Sequence, residues 1–210
     1  MFEKFLELMD TLLGENGCAW DKEQTHKSLR PYMLEECYEA IEAIDSGDTA
    51  ALREELGDVL LQVVFHAKLA EKAGAFTIND VIESVSNKLI SRHTHVFGED
   101  KAASGAEVMK IWEANKQKER SGSPADDMNA VARALPALVR ASKVLKRSKQ
   151  NPPSAGVLIA EIKTHLDERV IQSEEFGKIL LSLVFLSNIL DINAEFSLTN
   201  EVETFINTFS

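Results

Sequence analysis

The sequence predicts an all-α protein built as a bundle of amphipathic helices. Apolar residues recur every three or four positions through most of the 210-residue chain, which is the period of an α-helix. No segment alternates apolar and polar residues at period two, so we expect no appreciable sheet. Hydrophobic residues make up 44% of the chain, which is enough to supply a core.

Four helices are predicted in the first ninety residues, at about 2–13, 31–45, 49–73 and 78–91. Gly14 and Gly47 follow the first two helices as stop signals. Asp48 is a suitable N-cap for the third helix, and Thr77 followed by Asp80 marks the start of the fourth. Because the second and third helices are joined by so short a connection, we expect them to be antiparallel neighbours.

Irregular segments separate the remaining helices. ENGCAWDKEQTH and SRHTHVFGED are interpreted as loops, and a fifth helix opens at Ser104 followed by Glu107. Residues 121–124 are interpreted as a linker, and residues 135–149 as a basic amphipathic helix. The run Asn-Pro-Pro at 151–153 ends that helix.

The chain contains an internal repeat. A shift of 120 positions carries EELGDVLLQVVF onto EEFGKILLSLVF, and removal of five residues upstream brings Glu36 onto Glu161. We therefore predict a tandem repeat with a shortened second copy. The predicted divisions are a first domain, a linker with the connecting basic helix, and a degenerate second repeat, at 1–120, 121–153 and 154–210.

Composition excludes several classes of protein. Cys18 and Cys37 are too few for a disulfide framework and are interpreted as reduced thiols. A net charge of -11 argues against binding to a nucleic-acid polymer. The most apolar stretch, 179–190, is interrupted by polar residues and is too short for a membrane helix. We expect a cytoplasmic protein with no membrane partner.

Two clusters of carboxylates fall on the second and third predicted helices. Glu36 and Glu39 share one helix face, as do Glu55 and Asp58 on the next helix. The simplest interpretation is a solvated outer face, but the clusters adjoin apolar residues that we expect to be buried, namely Leu34, Ile41, Leu56, Val59 and Leu60. Facing carboxylates repel unless cations compensate them. Oxygen ligands without His or Cys suit Mg²⁺ or Mn²⁺.

The acidic pattern resembles that of the MazG family of nucleoside triphosphate pyrophosphohydrolases, which have EExxE followed by ExxD. The similarity extends over nearly all of the first 120 residues and includes NGCAWDKEQTH, LEECYEAIEAI, EELGDVLLQVVFHA, NKLISRHTHVFG and IWEANKQKER. The basic helix ARALPALVRASKVLKR also resembles the family's connector between tandem domains.

The resemblance implies an all-α, usually dimeric enzyme that cleaves a nucleoside triphosphate between the α and β phosphates. It implies Mg²⁺ as cofactor, with Mn²⁺ as a substitute, and a catalytic first domain. The ligands it implies are Glu36, Glu39, Glu55 and Asp58. The neighbouring Glu35 and Glu54 become candidate catalytic groups that orient or deprotonate water. The substrate-binding residues it implies are Lys88, Arg92, Trp112 and Lys116. Without the resemblance, ordinary surface charge explains Lys88 and Arg92 equally well, and core packing explains Trp112 equally well.

Two positions depart from the family pattern. Ala19 stands where Pro usually precedes Trp20, and Thr94 stands where Pro usually lies between two histidines. Both positions fall in predicted loops, so they affect local loop shape more than the carboxylates. His93 and His95 lack Cys or acidic partners in their loop, which favours a structural role over metal binding.

The second copy lacks half of the acidic set. Lys178 takes the place of Asp58 and Thr164 that of Glu39, whereas Glu161 and Glu175 remain. An ammonium group at a ligand position would repel Mg²⁺ and pair with one of these carboxylates. We predict that the second repeat is catalytically inactive and serves packing, dimerisation or substrate gating. Two other functions stay open for the whole chain: a non-enzymatic sensor or scaffold dimer that binds metal and nucleotide, and a purely structural bundle.

Overall fold

All regular elements in the described part of the chain are helices, which confirms the all-α prediction. The computed structural model describes residues 1–119, 123–148, 151–167 and 172–209. The helices within these ranges are α1 (Phe2–Leu13), α2 (Ala19–Glu23), α3 (Arg30–Ser46), α4 (Thr49–Lys72), α5 (Ile78–Arg92), α6 (Thr94–Phe97), α7 (Gly105–Lys118), α8 (Pro124–Asn129), α9 (Ala137–Arg147), α10 (Ala155–Leu166), α11 (Ser173–Ile189) and α12 (Ala194–Asn207).

The chain forms two compact units, Met1–Asn115 and Lys116–Ser210, which divide within α7. The boundary predicted between 120 and 121 lies outside the described residues. The division into 1–120, 121–153 and 154–210 therefore remains a prediction.

A two-residue connection folds α3 and α4 into a helical hairpin. Gly47 ends α3 in the left-handed conformation, with φ of 71°, which glycine adopts without steric cost. The Asp48 carboxylate then caps α4 by accepting hydrogen bonds from the backbone N–H groups of Ala50 at 2.9 Å and Ala51 at 3.0 Å. The two helices consequently pack against each other.

The hydrophobic core of the first unit centres on α4, against which α1, α3 and α5 all pack. The fully buried members of this core come from α1, α4, α5 and the segment before α3, and they are Met9, Leu29, Val64, Phe65, Ala67 and Ile78. Burial of one large apolar side chain contributes about 1.5–3 kcal/mol. These contacts hold the C-terminal half of α4, while its N-terminal half carries the acidic residues.

The second unit repeats much of this arrangement. Helix α10 packs along α11, and α9 packs on α11 as α1 packs on α4, whereas α12 packs on α9. Leu158, Ile179 and Val184 are buried at these contacts. Among the described residues no single helix is long and apolar enough to cross a membrane, but α11 and α12 together, bent by 107°, would meet that length and composition.

Short helices are the main correction to the predicted elements. The predicted loops contain α2 and α6, and α8 begins at Pro124, the last residue of the predicted linker. These helices have four to six residues, too few to show a helical period in the sequence. Helix α8 did carry local signals, because Pro124 occupies its first turn and Ser123 forms a capping box with Asp126. The predicted end of the basic helix at 149 lies outside the described residues.

Three of the five residues expected to be buried beside the carboxylates are exposed. Leu34, Leu56 and Leu60 expose 59%, 54% and 42% of their surface, and that expectation was wrong for them. Ile41 and Val59 are half-buried. The larger buried apolar side chains of the hairpin are Val64 and Phe65 on the C-terminal half of α4, whereas α3 buries only the small Ala40 and Ala43.

A pair of histidines ties the segment before α3 to α4. The Nδ1 atoms of His26 and His66 lie 2.8 Å apart, and the two ring planes differ by only 6°. A centroid separation of 5.1 Å between coplanar rings fits an in-line N–H···N hydrogen bond better than face-to-face stacking. Burial lowers the pKa of His66, and the nearby His26 lowers it further.

The lowered pKa of His66 predicts a pH-dependent stability. In the unfolded chain the pKa of His66 is closer to the ordinary value of 6.5, so the unfolded chain binds a proton at a higher pH than the folded chain does. The free energy of unfolding should therefore fall as the pH drops below 6.5. The stability of His66→Gln should change less with pH over the same window. Urea unfolding followed by circular dichroism from about pH 7.5 to 5 measures both slopes. Parallel pH profiles for the two proteins would contradict the prediction.

Candidate metal and substrate site

Three carboxylates converge where α3 faces the first half of α4. Glu36 and Glu39 lie one turn apart on α3, and Glu55 lies on α4. One oxygen from each lies within 4.8 Å of the other two. The hairpin therefore brings together side chains that are sixteen or more residues apart in the sequence.

Repulsion within this acidic group is visible in the pKa values of Glu36 and Glu55. Burial raises the pKa of Glu36, and four neighbouring carboxylates raise it further, namely Asp58, Glu39, Glu55 and Glu35. The pKa of Glu55 is also raised, first by desolvation and then by the charges of Glu39, Asp58 and Glu54 and a hydrogen bond with Glu39. Asp58 thus belongs to the same electrostatic group, whereas Glu35 and Glu54 are exposed beside it.

The chemistry of these side chains fits a divalent cation. Carboxylate oxygens are the ligands that hard cations prefer, and a cation among them would relieve the repulsion that raises the pKa of Glu36. One turn after Asp58 on α4, Gln62 is 6% exposed, and its buried Oε1 has no hydrogen-bond partner among the described residues. The group can therefore offer oxygen ligands only, with a further acceptor on the next turn of the helix.

Of the four predicted substrate-binding residues, the structure brings Arg92 and Trp112 together. The Arg92 Cζ atom lies 5.4 Å from the centroid of the Trp112 ring, within the range of a cation–π contact. Lys88 is exposed one turn before Arg92 on α5, and Lys116 is half-buried one turn after Trp112 on α7. Lys88 therefore shares a face of α5 with Arg92, and Lys116 shares a face of α7 with Trp112.

His93 of SRHTHVFG packs against the same tryptophan, and His95 packs against His93. The His93 and Trp112 ring centroids are 4.7 Å apart in an edge-to-face arrangement, and His93 Nδ1 lies 2.7 Å from the Leu89 carbonyl oxygen. The His95 ring centroid is 5.5 Å from that of His93. The histidines thus form an aromatic cluster with Trp112.

Sequence reasoning missed Asn115, which is 7% exposed and lies between Trp112 and Lys116. Its side chain donates a hydrogen bond to the Thr94 hydroxyl at 2.8 Å. The sequence carries one signal at this place, because Thr94 stands where the family resemblance leads one to expect proline. The buried partner on α7 could not be identified without the fold.

The second unit holds an internal cation at the corresponding place. Lys178 Nζ lies 2.9 Å from Glu175 and 3.2 Å from Glu174, and His165 Nδ1 of α10 lies 2.9 Å from Glu175. The prediction that Lys178 pairs with Glu161 or Glu175 is confirmed for Glu175, and Glu174 is an additional partner. The hydrogen bond between Lys178 and Glu175 lowers the pKa of Glu175. The hydrogen bonds that Lys178 donates to Glu175 and Glu174 raise the pKa of Lys178.

Comparisons with known proteins agree on one family. Residues 24–97 match the MazG nucleotide pyrophosphohydrolase domain. A nucleoside triphosphate pyrophosphohydrolase/pyrophosphatase MazG from Thermotoga maritima is 40% identical over 219 aligned residues, covering 100% of this chain and 84% of that protein. A nucleoside triphosphate pyrophosphohydrolase from Escherichia coli is 37% identical, covering 99% of this chain and 85% of that protein.

A crystal structure of a MazG-related protein from Thermotoga maritima superposes with a TM-score of 0.48 at 30% identity, covering 55% of this chain and 98% of that chain. The breadth of the match to the two full-length relatives is what identifies the family. The chain belongs to the MazG family of nucleotide pyrophosphohydrolases, which confirms the resemblance seen in the sequence.

The internal repeat predicts that the second unit can be made to bind metal. In full-length protein with the first site disabled by Glu39→Gln and Asp58→Asn, adding Thr164→Glu and Lys178→Asp should restore binding of one Mn²⁺ per chain. The added changes recreate the acidic spacing of the first copy beside Glu161 and Glu175 and remove the internal cation.

Isothermal titration with Mn²⁺ measures this, and the protein carrying only the two disabling changes is the control. Circular dichroism shows whether the helices are retained. A folded protein with all four changes that binds no Mn²⁺ would show that α10 and α11 do not reproduce the geometry of α3 and α4.

Proposed function

We propose that the first unit hydrolyses nucleoside and deoxynucleoside triphosphates between the α and β phosphates, giving a monophosphate and pyrophosphate, with Mg²⁺ as cofactor and Mn²⁺ as a substitute. The observation that carries the proposal is the convergence of Glu36, Glu39 and Glu55 within 4.8 Å. The names of the Thermotoga maritima and Escherichia coli relatives support the reaction class, since this chain matches 84% and 85% of their lengths.

The roles of the acidic residues follow from their positions. Glu36, Glu39, Glu55 and Asp58 would hold the cation. When bound, a divalent cation would supply positive charge to the phosphate oxygens and acidify water at the site. Glu35 and Glu54 are exposed next to the ligands, so they are candidates to orient or deprotonate the attacking water.

The cationic and aromatic residues would bind the nucleotide. Lys88 and Arg92 on α5 supply positive charge for phosphate oxygens, which a chain with a net charge of -11 must provide locally. Trp112 offers a ring against which a base can pack. Lys116 on α7 adds a third cation to the two on α5. Arg92 already contacts Trp112, so one of the phosphate ligands lies beside the residue proposed to receive the base.

The proposal includes a homodimer. The exposed Leu34, Leu56 and Leu60 form an apolar face beside the carboxylates. A second copy would cover this face and limit the access of water to the site.

We expect the dimer to depend on this face. Leu56→Lys should shift the protein from twice the chain mass to the monomer in sedimentation equilibrium, because a buried ammonium group without a partner is strongly unfavourable. Leu8→Lys is the matched control, since Leu8 on α1 is 52% exposed and lies outside the hairpin. A wild-type protein that sediments only as a 23.3 kDa monomer would contradict the dimer.

The reaction is tested by pyrophosphate release. Wild-type protein with Mg²⁺ should release pyrophosphate from at least one nucleotide in a panel of NTPs and dNTPs. Glu39→Gln and Asp58→Asn should each lower kcat by a factor on the order of a hundred or more and abolish the rise in melting temperature caused by Mg²⁺. A Glu35→Gln variant with unchanged turnover and metal affinity would exclude Glu35 as the general base.

Asp45→Asn provides the matched control. Asp45 is exposed near the end of α3, so this change removes one charge from the same helix without touching the acidic group, and turnover should stay the same. Release of orthophosphate alone would contradict the proposed cleavage position. Binding of metal and nucleotide without any turnover would favour the sensor function instead.

A further inference from the structure

A buried amide joins α7 to the junction between α5 and α6. Asn115 is 7% exposed and follows Trp112 by one turn on α7. Its Nδ2 atom lies 2.8 Å from the Thr94 hydroxyl and 3.5 Å from the Arg92 carbonyl oxygen. The two N–H groups of one amide thus have acceptors on both sides of the end of α5.

The neighbouring hydroxyl fixes the direction of these hydrogen bonds. Thr94 donates its proton to the Asp100 carboxylate at 2.5 Å, so its oxygen can only accept from Asn115. The Arg92 carbonyl can also only accept. The amide nitrogen of Asn115, rather than its oxygen, must therefore face both groups, and removal of either partner takes one hydrogen bond away from this buried amide.

This network lies directly beside the Arg92 and Trp112 contact. Asn115 and Trp112 are three positions apart on α7, while Arg92 contributes both a carbonyl oxygen to the network and the guanidinium group that lies 5.4 Å from the Trp112 ring centroid. We infer that Asn115 and Thr94 are positioning residues that hold Trp112 and Arg92 in the arrangement that binds nucleotide. The inference rests on the proposed function, in which those two residues contact the substrate.

The link through Thr94 depends on its hydroxyl group, which both accepts from Asn115 and donates to Asp100. A side chain without a hydroxyl at this position could not bridge Asn115 to Asp100. In this protein the bridge connects the end of α5, the segment after α6 and α7 through side chains. Without the bridge, α7 would be free to shift relative to α5, and nucleotide binding would have to restore the arrangement at a cost in affinity.

Three variants test the inference in the full-length protein. Thr94→Val keeps the shape of the side chain but removes the hydroxyl, Thr94→Ser keeps the hydroxyl, and Asn115→Leu removes the amide. We expect Thr94→Val and Asn115→Leu to raise KM for the nucleotide about five- to tenfold and to leave kcat within about twofold. Thr94→Ser should keep KM within about twofold of wild type, because it retains both hydrogen bonds.

Two further measurements separate positioning from general destabilisation. The affinity for Mn²⁺ should not change in any variant, since the carboxylates lie on α3 and α4. Asn115→Leu combined with Thr94→Val should raise KM no more than the larger single change, because both variants remove the same hydrogen bond. An unchanged KM, additive effects, a loss of kcat alone, or failure of Thr94→Ser to preserve KM would each overturn the inference.

Absence of the proposed activity can be distinguished from absence of the positioning role. A wild-type protein that turns over no nucleotide would contradict the function. The dissociation constants of the same nucleotides, measured by calorimetry, would then replace KM for the three variants. A five- to tenfold rise in the dissociation constant for Thr94→Val and Asn115→Leu but not for Thr94→Ser would support the positioning role, and equal constants would overturn it.

Discussion

Mutual repulsion of carboxylates is the constraint on which the first unit depends. Glu36, Glu39 and Glu55 present oxygens within 4.8 Å of one another, and desolvation together with this repulsion raises the pKa of Glu36 and Glu55. Such a group stays together only if the rest of the fold holds its helices in place. The apolar contacts of Val64 and Phe65, at the other end of α4, supply that support. Helix α4 is therefore held by core packing at its C-terminal half and carries its part of the acidic group on its N-terminal half.

The second unit meets the same constraint differently. Its equivalent helix pair keeps Glu175, but an ammonium group from Lys178 lies 2.9 Å away and His165 lies at a similar distance on the other side. In this unit the ammonium group of Lys178 supplies the positive charge that the first unit would have to take from a bound metal ion. This explains how a repeat of one scaffold can lose its acidic ligands and still pack α10 against α11.

In the proposed function, substrate recognition would depend on a different part of the first unit from metal binding. Arg92 and Trp112 meet where α5 ends and α7 returns, and the buried Asn115 joins these two helices through Thr94. The segment between them contains only one short helix, so side-chain hydrogen bonds rather than a continuous helical core fix their relative position. A mutation there should change nucleotide affinity, whereas a mutation on α3 or α4 should change metal affinity. The separation makes the two functions measurable independently.

Local sequence information determined the helices and the acidic spacing. Apolar periodicity and the caps at Gly47 and Asp48 depend on neighbouring residues, so α3 and α4 and the faces of Glu36 and Glu55 could be predicted without the fold. The single-turn helices α2 and α6 were missed because so few residues show no period. Which leucines are buried could not be predicted either, because the exposure of Leu56 depends on what packs across it.

Tertiary structure alone decided the distances that give these residues a role. The approach of three carboxylates to within 4.8 Å, the position of Arg92 over Trp112, and the burial of Asn115 all join residues from separate helices. A sequence specifies which side chains share a face of one helix, because that follows from 3.6 residues per turn. Packing in the core determines which face of the next helix these side chains contact. That contact cannot be predicted from the residues of one helix alone.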